Sequence, residues 1–149
     1  MRLRILVPVD VEEPRSWSNV LPLLRQYVKG NDAEVTVVTV VPELGTVIAQ
    51  AAQAAPFTSL MPAELKEKAL KVAGEHLSEI VCTDEFGEIR KIVRSGSVYS
   101  EILQTSEEIS SDLIVVMSHM PAFGDYLLGP NSAKIVRHAK CSVLVVRPD

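Results

Sequence analysis

The sequence predicts an α/β fold: a single doubly wound, Rossmann-like domain, residues 1–149, with a five-stranded parallel sheet and helices on both faces. Two observations support this prediction. Short apolar runs rich in Val, Ile and Leu alternate along the chain with segments whose apolar residues recur at helical spacing. Only 5% of the residues are aromatic although 47% are hydrophobic, so the core must consist mainly of aliphatic side chains, as in a sheet covered on both faces.

Five segments have the pattern of buried parallel strands. Each is a short, mostly apolar run bounded by polar or turn-forming residues, because neither face of such a strand meets water. The first run ends at Asp10, and the second ends at Pro42, which lacks the N–H needed to extend a ladder. The predicted strands cover residues 3–9, 34–41, 88–94, 112–117 and 142–146.

Apolar residues at helical spacing fill the intervals between the strands. The first helix is predicted between Trp17 and Val28, with Gly30 as its stop. Pro22 lies inside this segment and crowds the carbonyl of Ser18, so the helix is expected to start late or to bend there. Further helices are predicted over residues 62–80, 98–109 and 131–140.

The stretch 43–61 differs from the rest of the chain. It is rich in Ala, Gln and Thr, shows no clean period and contains Pro56. We therefore expect a partly helical excursion, which is the best candidate in the sequence for a mobile lid.

The charge and cysteine content argue against several classes of protein. The net charge is -4 and the sequence has no basic stripe, so nucleic acid is not expected as a partner. No apolar run reaches the length of a membrane span and no secretory leader follows Met1, so we expect a cytoplasmic protein without membrane insertion. Cys82 and Cys141 are far apart and the three histidines are scattered, which indicates neither a disulfide nor a metal site.

In a doubly wound sheet, ligands bind beyond the carboxyl ends of the strands, where the strand order reverses. Residues 8–10, 40–42 and 117–131 should border that crevice. The sequence has no Gly-x-Gly-x-x-Gly after its first strand and no Gly-x-x-x-x-Gly-Lys-Ser/Thr, which argues against a dinucleotide oxidoreductase and a P-loop NTPase. Ser118 directly precedes His119, but neighbouring residues seldom aim their side chains at each other and no third orienting residue is identifiable. No catalytic residue is therefore predicted.

Several segments, from one end of the chain to the other, are similar to a known family. They are 5–10 (ILVPVD), Gly96, 112–119 (DLIVVMSH), 127–129 (LLG) and 136–147 (VRHAKCSVLVVR). In these segments the chain resembles the universal stress protein family, and its C-terminal half carries the more specific part of the match.

The resemblance implies a protein that binds ATP together with Mg²⁺. Many members of the family hold the ribose and the base with the first-strand Asp and the end of the second strand, positions that correspond here to Val9, Asp10 and Val40. They hold the phosphates with a loop after the fourth strand, whose last glycine corresponds to Gly129. The nucleotide-binding residues that the resemblance implies are Pro8, Val9, Asp10, Val40, Val116, Met117, Ser118, His119, Gly129, Asn131 and Ser132.

This sequence departs from the family's phosphate loop. Met117 and Met120 stand where the family has two glycines, so side chains occupy positions where backbone approaches phosphate. Pro130 replaces a hydroxyl residue and removes one N–H donor. Two hypotheses follow. The chain is an adenine-nucleotide-binding stress-response or regulatory module with at most slow hydrolysis; alternatively, it has lost ATP binding and works as a dimeric interaction protein.

The resemblance also implies a homodimer. The last strand, 142–146, would lie at an edge of the sheet and pair with its counterpart in a second chain, because an unpaired apolar edge is prone to aggregate. A further protein partner is expected for a module of this kind, and the sequence does not identify it.

Overall fold

The computed structural model describes residues 1–42, 62–118 and 130–147. Strands and helices alternate in these residues. The strands are β1 (Leu3–Pro8), β2 (Ala33–Val41), β3 (Arg90–Ser95), β4 (Leu113–Met117) and β5 (Ser142–Val146). The helices are α1 (Arg15–Ser18), α2 (Leu21–Val28), α3 (Pro62–Ile80), α4 (Val98–Glu108) and α5 (Pro130–His138). The excursion predicted over 43–61 lies outside the described residues.

All five strands are parallel, in the order β3-β2-β1-β4-β5. The chain therefore winds from β1 outward to β2 and β3, and then returns to the other side of β1 with β4 and β5. The strand order reverses between β1 and β4, so a crevice can open there beyond the carboxyl ends of these two strands. The predicted α/β fold with a five-stranded parallel sheet is confirmed.

Helices cover both faces of the sheet because alternate residues of each strand point to opposite sides. One face packs against α1, α2 and α3, and the other packs against α4 and α5. The first cluster includes Ile5, Val7, Trp17, Leu24 and Leu77, and the second includes Leu6, Ile102 and Ile135. A fully buried aliphatic side chain contributes about 1.5–3 kcal/mol relative to an exposed one, so the two clusters supply most of the drive to fold.

The first predicted helix is two helices. α1 covers Arg15–Ser18, and α2 begins at Leu21 with Pro22 in its first turn, where a missing N–H costs no helical hydrogen bond. This break agrees with the late start or bend that Pro22 predicted. Gly30 follows α2 with φ +78°, a conformation that commonly ends a helix and that glycine adopts without strain.

Several element boundaries differ from the sequence prediction by one or two residues. β3 begins at Arg90 instead of residue 88, opposite Thr36 of β2, because a turn with Gly87 at φ +75° precedes it. α5 begins one residue earlier than predicted, at Pro130, and ends at His138 instead of residue 140. In the part of the chain that the structure describes, no helix is both long and apolar enough to cross a lipid bilayer.

Gly96 joins β3 to α4 in a conformation that other residues rarely adopt. Its φ is +138°, and its N–H donates to the Val41 carbonyl at 3.0 Å. A Cβ at this position would lie 3.0 Å from Glu101 Oε1. The situation of Gly74 in α3 is different, because a Cβ there would meet Val93 Cγ2 at an ordinary 3.6 Å.

We expect Gly96→Ala to lower the free energy of unfolding by about 1–3 kcal/mol, because alanine is strained at this φ. Gly74→Ala is the matched control, and it should raise the free energy of unfolding by up to about 1 kcal/mol because alanine is the better helix former. Urea unfolding of the two variants measures the difference. Equal effects of the two substitutions would contradict the assignment of strain to Gly96.

Candidate functional site

A cavity of about 460 Å³ opens beyond the carboxyl ends of β1 and β4. The strand order reverses at this position, and the volume is in the range of small-molecule sites. The structure brings these predicted site residues together around the cavity: Pro8, Val9, Asp10, Val40, Val116, Met117, Ser118, Asn131 and Ser132. His119 and Gly129 lie outside the described residues. The roles of all these residues in ligand binding stay predictions.

Asp10 organises the turn that follows β1. Its Oδ1 accepts a hydrogen bond from the Glu12 N–H at 2.9 Å, and its carbonyl accepts one from the Glu13 N–H at 3.0 Å. The Asp10 N–H donates to Ser16 Oγ at 2.9 Å, which joins the turn to α1. Asp10 Oδ2 accepts no hydrogen bond from the described residues, so one carboxylate oxygen is open to a ligand at the cavity rim.

Glu13 and Arg15 also line the cavity, and they form an ion pair. Arg15 Nε donates to Glu13 Oε1 at 2.8 Å, and Arg15 Nη2 donates to Glu13 Oε2 at 2.9 Å. This two-pronged bond holds the pKa of Glu13 below its ordinary value and raises the pKa of Arg15. Both groups are therefore charged at neutral pH, and the pair adds no net charge to the cavity wall.

Met117, at the end of β4, contacts residues at the end of α1 and in α5 at the cavity. Asn19 Nδ2, at the carboxyl end of α1, donates to Met117 Sδ at 3.4 Å. Ser132 Oγ, in the first turn of α5, donates to the Met117 carbonyl at 3.3 Å. The Met117 side chain is half-buried and packs against the core cluster that contains Trp17. The side chain is therefore held in place at the cavity wall.

Ser118 carries an unpaired polar atom at the cavity wall. The residue is completely buried, and its Oγ has no hydrogen-bond partner among the residues in the structure's described ranges. Its N–H donates to the Val146 carbonyl at 2.8 Å, which continues the pairing of β4 with β5. A buried hydroxyl without a partner costs about 1–3 kcal/mol. This hydroxyl is therefore an uncompensated polar group beside the cavity, and a ligand would reach it only if the atoms that bury it moved.

Helix α5 starts at the cavity with Pro130, which has no N–H to offer an anion. This position agrees with the structural role of Pro130 as a first helical residue, where its fixed φ suits the helix. Asn131 is exposed at the rim, whereas the hydroxyl proton of Ser132 is already directed at the Met117 carbonyl. The start of α5 therefore offers a ligand fewer hydrogen-bond donors than the first turn of a helix usually does.

Sequence reasoning missed the segment after β1. Glu13, Arg15, Ser16 and Asn19 line the cavity although none of them was predicted as a site residue. Their position is the signal that could have found them, since the chain that follows a central strand must border the crevice. The other missed residues are apolar and also belong to the core: Val38, Val98, Ile102 and Ile135.

The described residues of the cavity have the composition of a binding site. Within residues 1–42, 62–118 and 130–147, Ser118 has no hydrogen bond to a base, and no three His, Cys, Asp or Glu side chains cluster around one point. The cavity combines apolar walls with a few polar groups, which is typical of sites that hold a small molecule.

The chain matches the model of the universal stress protein family over residues 1–147. Universal stress protein G from Shigella flexneri is 42% identical to it over 59 residues. That match covers 40% of this chain and 42% of the Shigella protein, so the chain spans less than half the length of this relative.

Two solved structures have the same fold. A universal stress protein family protein from Arabidopsis thaliana with AMP bound has a TM-score of 0.63 and 18% identity, over 99% of this chain and 92% of that one. The universal stress protein from Archaeoglobus fulgidus in complex with dAMP has a TM-score of 0.53 and 20% identity, over 97% of each chain. Because the family match runs over nearly its whole length, this chain belongs to the universal stress protein family.

Proposed function

We propose that this chain binds an adenine nucleotide in the cavity beyond β1 and β4 and works as a stress-response or regulatory module, with at most slow hydrolysis. The observation that carries the proposal is the composition of the cavity wall. Two residues line one space at the switch point of the sheet: Asp10, whose second carboxylate oxygen is open, and Ser118, whose buried hydroxyl has no partner among the described residues. Two proteins of the same fold, described above, hold AMP and dAMP.

The walls suit the parts of a nucleotide. Val40 is half-buried and offers an apolar surface on which a base can pack, and the buried Val9 and Val38 line the same cavity. Asp10 Oδ2 can accept a hydrogen bond from a ribose hydroxyl, because the turn after β1 holds the carboxylate in position. A phosphate would then lie toward the first turn of α5, beside Asn131. Mg²⁺ would enter with the phosphates and neutralise part of their charge.

Met117 favours a second candidate function. Its side chain lines the cavity at a position where the family resemblance places a glycine, and Asn19 holds it there through the 3.4 Å contact to Sδ. If this side chain narrows the cavity so far that ATP does not fit, the chain is a dimeric interaction protein that has lost ATP binding. Mass spectrometry of the small molecules released from the denatured protein, as purified from cells, separates the two candidates. An adenine nucleotide supports the first, and its absence supports the second.

We also propose that two chains pair through β5. This strand lies at an edge of the sheet, and β4 is its one neighbour among the described strands. Val143, Leu144 and Val145 are half-buried on it, so the edge is apolar. A second copy of β5 would satisfy the open N–H and carbonyl groups of this edge.

Light scattering at micromolar concentration should give twice the chain mass of 16.3 kDa. Val143→Lys should shift the protein to the monomer, because a lysine on an edge strand opposes pairing. Ile92→Lys is the matched control, since it lies on the same face of the sheet in the opposite edge strand, β3, and should leave the dimer intact. A monomeric mass for the unsubstituted chain would contradict pairing through β5.

Asp10→Ala should weaken AMP binding about 10- to 100-fold, because a hydrogen bond to a charged group contributes about 1.5–3 kcal/mol. Asp10→Asn keeps an acceptor for the Glu12 N–H, so it separates loss of the charge from loss of the turn. Asp32→Ala is the control, since this exposed aspartate lies at the opposite end of the sheet and pairs with Arg2. Calorimetric titration measures all three variants. Unchanged AMP affinity in Asp10→Ala would overturn the ribose contact.

Ser118→Ala should affect stability and affinity in opposite directions. Without ligand, the free energy of unfolding should stay the same or rise by up to about 2 kcal/mol, because an unpaired buried hydroxyl is removed. With AMP, the affinity should fall about 2- to 10-fold, the value of one ordinary hydrogen bond. Thermal unfolding with and without AMP measures both effects. Lost stability with unchanged affinity would mean that this hydroxyl serves only the fold.

A further inference from the structure

The charged residues on the described cavity wall leave it with a negative balance. They are Asp10, Glu13 and Arg15. The guanidinium of Arg15 is committed to Glu13 through Nε and Nη2, at 2.8 and 2.9 Å. The carboxylate of Asp10 is therefore left without a cation on this wall. Two carboxylates against one guanidinium repel an anionic ligand.

The segments outside the described residues contain no Lys or Arg that could reverse this balance. Residues 119–129, which join β4 to α5, contain neither type and include Asp125. Residues 43–61, which follow β2, contain neither type either. Lys134 of α5 lies over the ring of Tyr99, 4.5 Å from its centroid, and does not line the cavity.

Among the described residues beside β4 and α5, few neutral groups can donate hydrogen bonds to a second or third phosphate. Pro130 lacks an N–H, and the Ser132 hydroxyl already donates to the Met117 carbonyl at 3.3 Å. The Met117 thioether stands on the wall and is held by Asn19. The one hydroxyl of Ser118 is buried, and it could donate to no more than one acceptor atom of a ligand.

We infer that the cavity selects an adenine nucleoside or its monophosphate and discriminates against the triphosphate. The inference rests on the proposed adenine-nucleotide function and specifies the ligand of that site. ATP carries two more phosphates than AMP, and each adds negative charge near the carboxylate of Asp10. ATP should therefore bind at least about tenfold more weakly than AMP.

Calorimetric titration of the full chain with adenosine, AMP and ATP, without Mg²⁺ and at two ionic strengths, tests the inference. At low ionic strength, the better of adenosine and AMP should bind at least about tenfold more tightly than ATP. The difference should narrow at high ionic strength, because salt screens the repulsion. ATP affinity equal to or above that of AMP would overturn the inference and leave the proposed function standing. Absence of binding by all three ligands would overturn the proposed function itself.

Glu13→Gln tests whether the ion pair withholds Arg15 from the ligand. Release of the guanidinium should tighten ATP binding about fivefold or more and change adenosine binding less than about twofold. Glu12→Gln is the matched control: it removes the same charge one residue away, but the Glu12 side chain neither lines this cavity nor pairs with Arg15. Equal gains in the two variants, or no gain in Glu13→Gln, would overturn the role assigned to the pair.

Discussion

Burial of both faces of β1 is the constraint on which the rest of the structure depends. Ile5, Leu6 and Val7 are completely buried, so helices have to cover the sheet on both sides. β1 also pairs with a strand on each side, β2 and β4, which the chain reaches by separate crossovers in opposite directions. The crossovers diverge at the carboxyl end of β1 and leave the cavity between them. Its position therefore follows from the topology before any polar residue is considered.

Residues at the strand ends then serve the fold and the cavity together. The Asp10 carboxylate accepts the Glu12 N–H with one oxygen, and its other oxygen is open at the rim. The Ser118 N–H continues the β4–β5 pairing at 2.8 Å, and the same residue lines the cavity with a buried hydroxyl that has no partner among the described residues. Such double roles arise because both residues come just after a strand, Asp10 in the turn after β1 and Ser118 after β4, where the chain leaves the sheet at the cavity. The effects of a substitution at either residue on folding stability and on ligand affinity therefore have to be measured separately.

The sequence predicts the architecture well where its signals are strong. The apolar run 142–146 predicts a strand, and β5 has the same bounds. Asp10 indicates the cavity, because a charged residue ends the apolar run at the carboxyl end of the first strand. The position of Glu13 and Arg15 after a central strand indicates that they border the crevice, but their ion pair could not be predicted because it depends on how the chain turns into α1. Ser118 shows another limit. Its place at a strand end is readable, but its lack of a partner depends on the side chains that surround it in three dimensions.

The cavity wall has two kinds of residue. Ile102, Ile135 and Val116 also fill the core, so a change in any of them disturbs the packing. Met117, at the end of β4, is only half-buried, and Pro130, at the start of α5, is exposed, so the core covers them less. Substitutions at the exposed Pro130 should therefore change the shape of the cavity at a smaller cost in stability than substitutions at the two isoleucines.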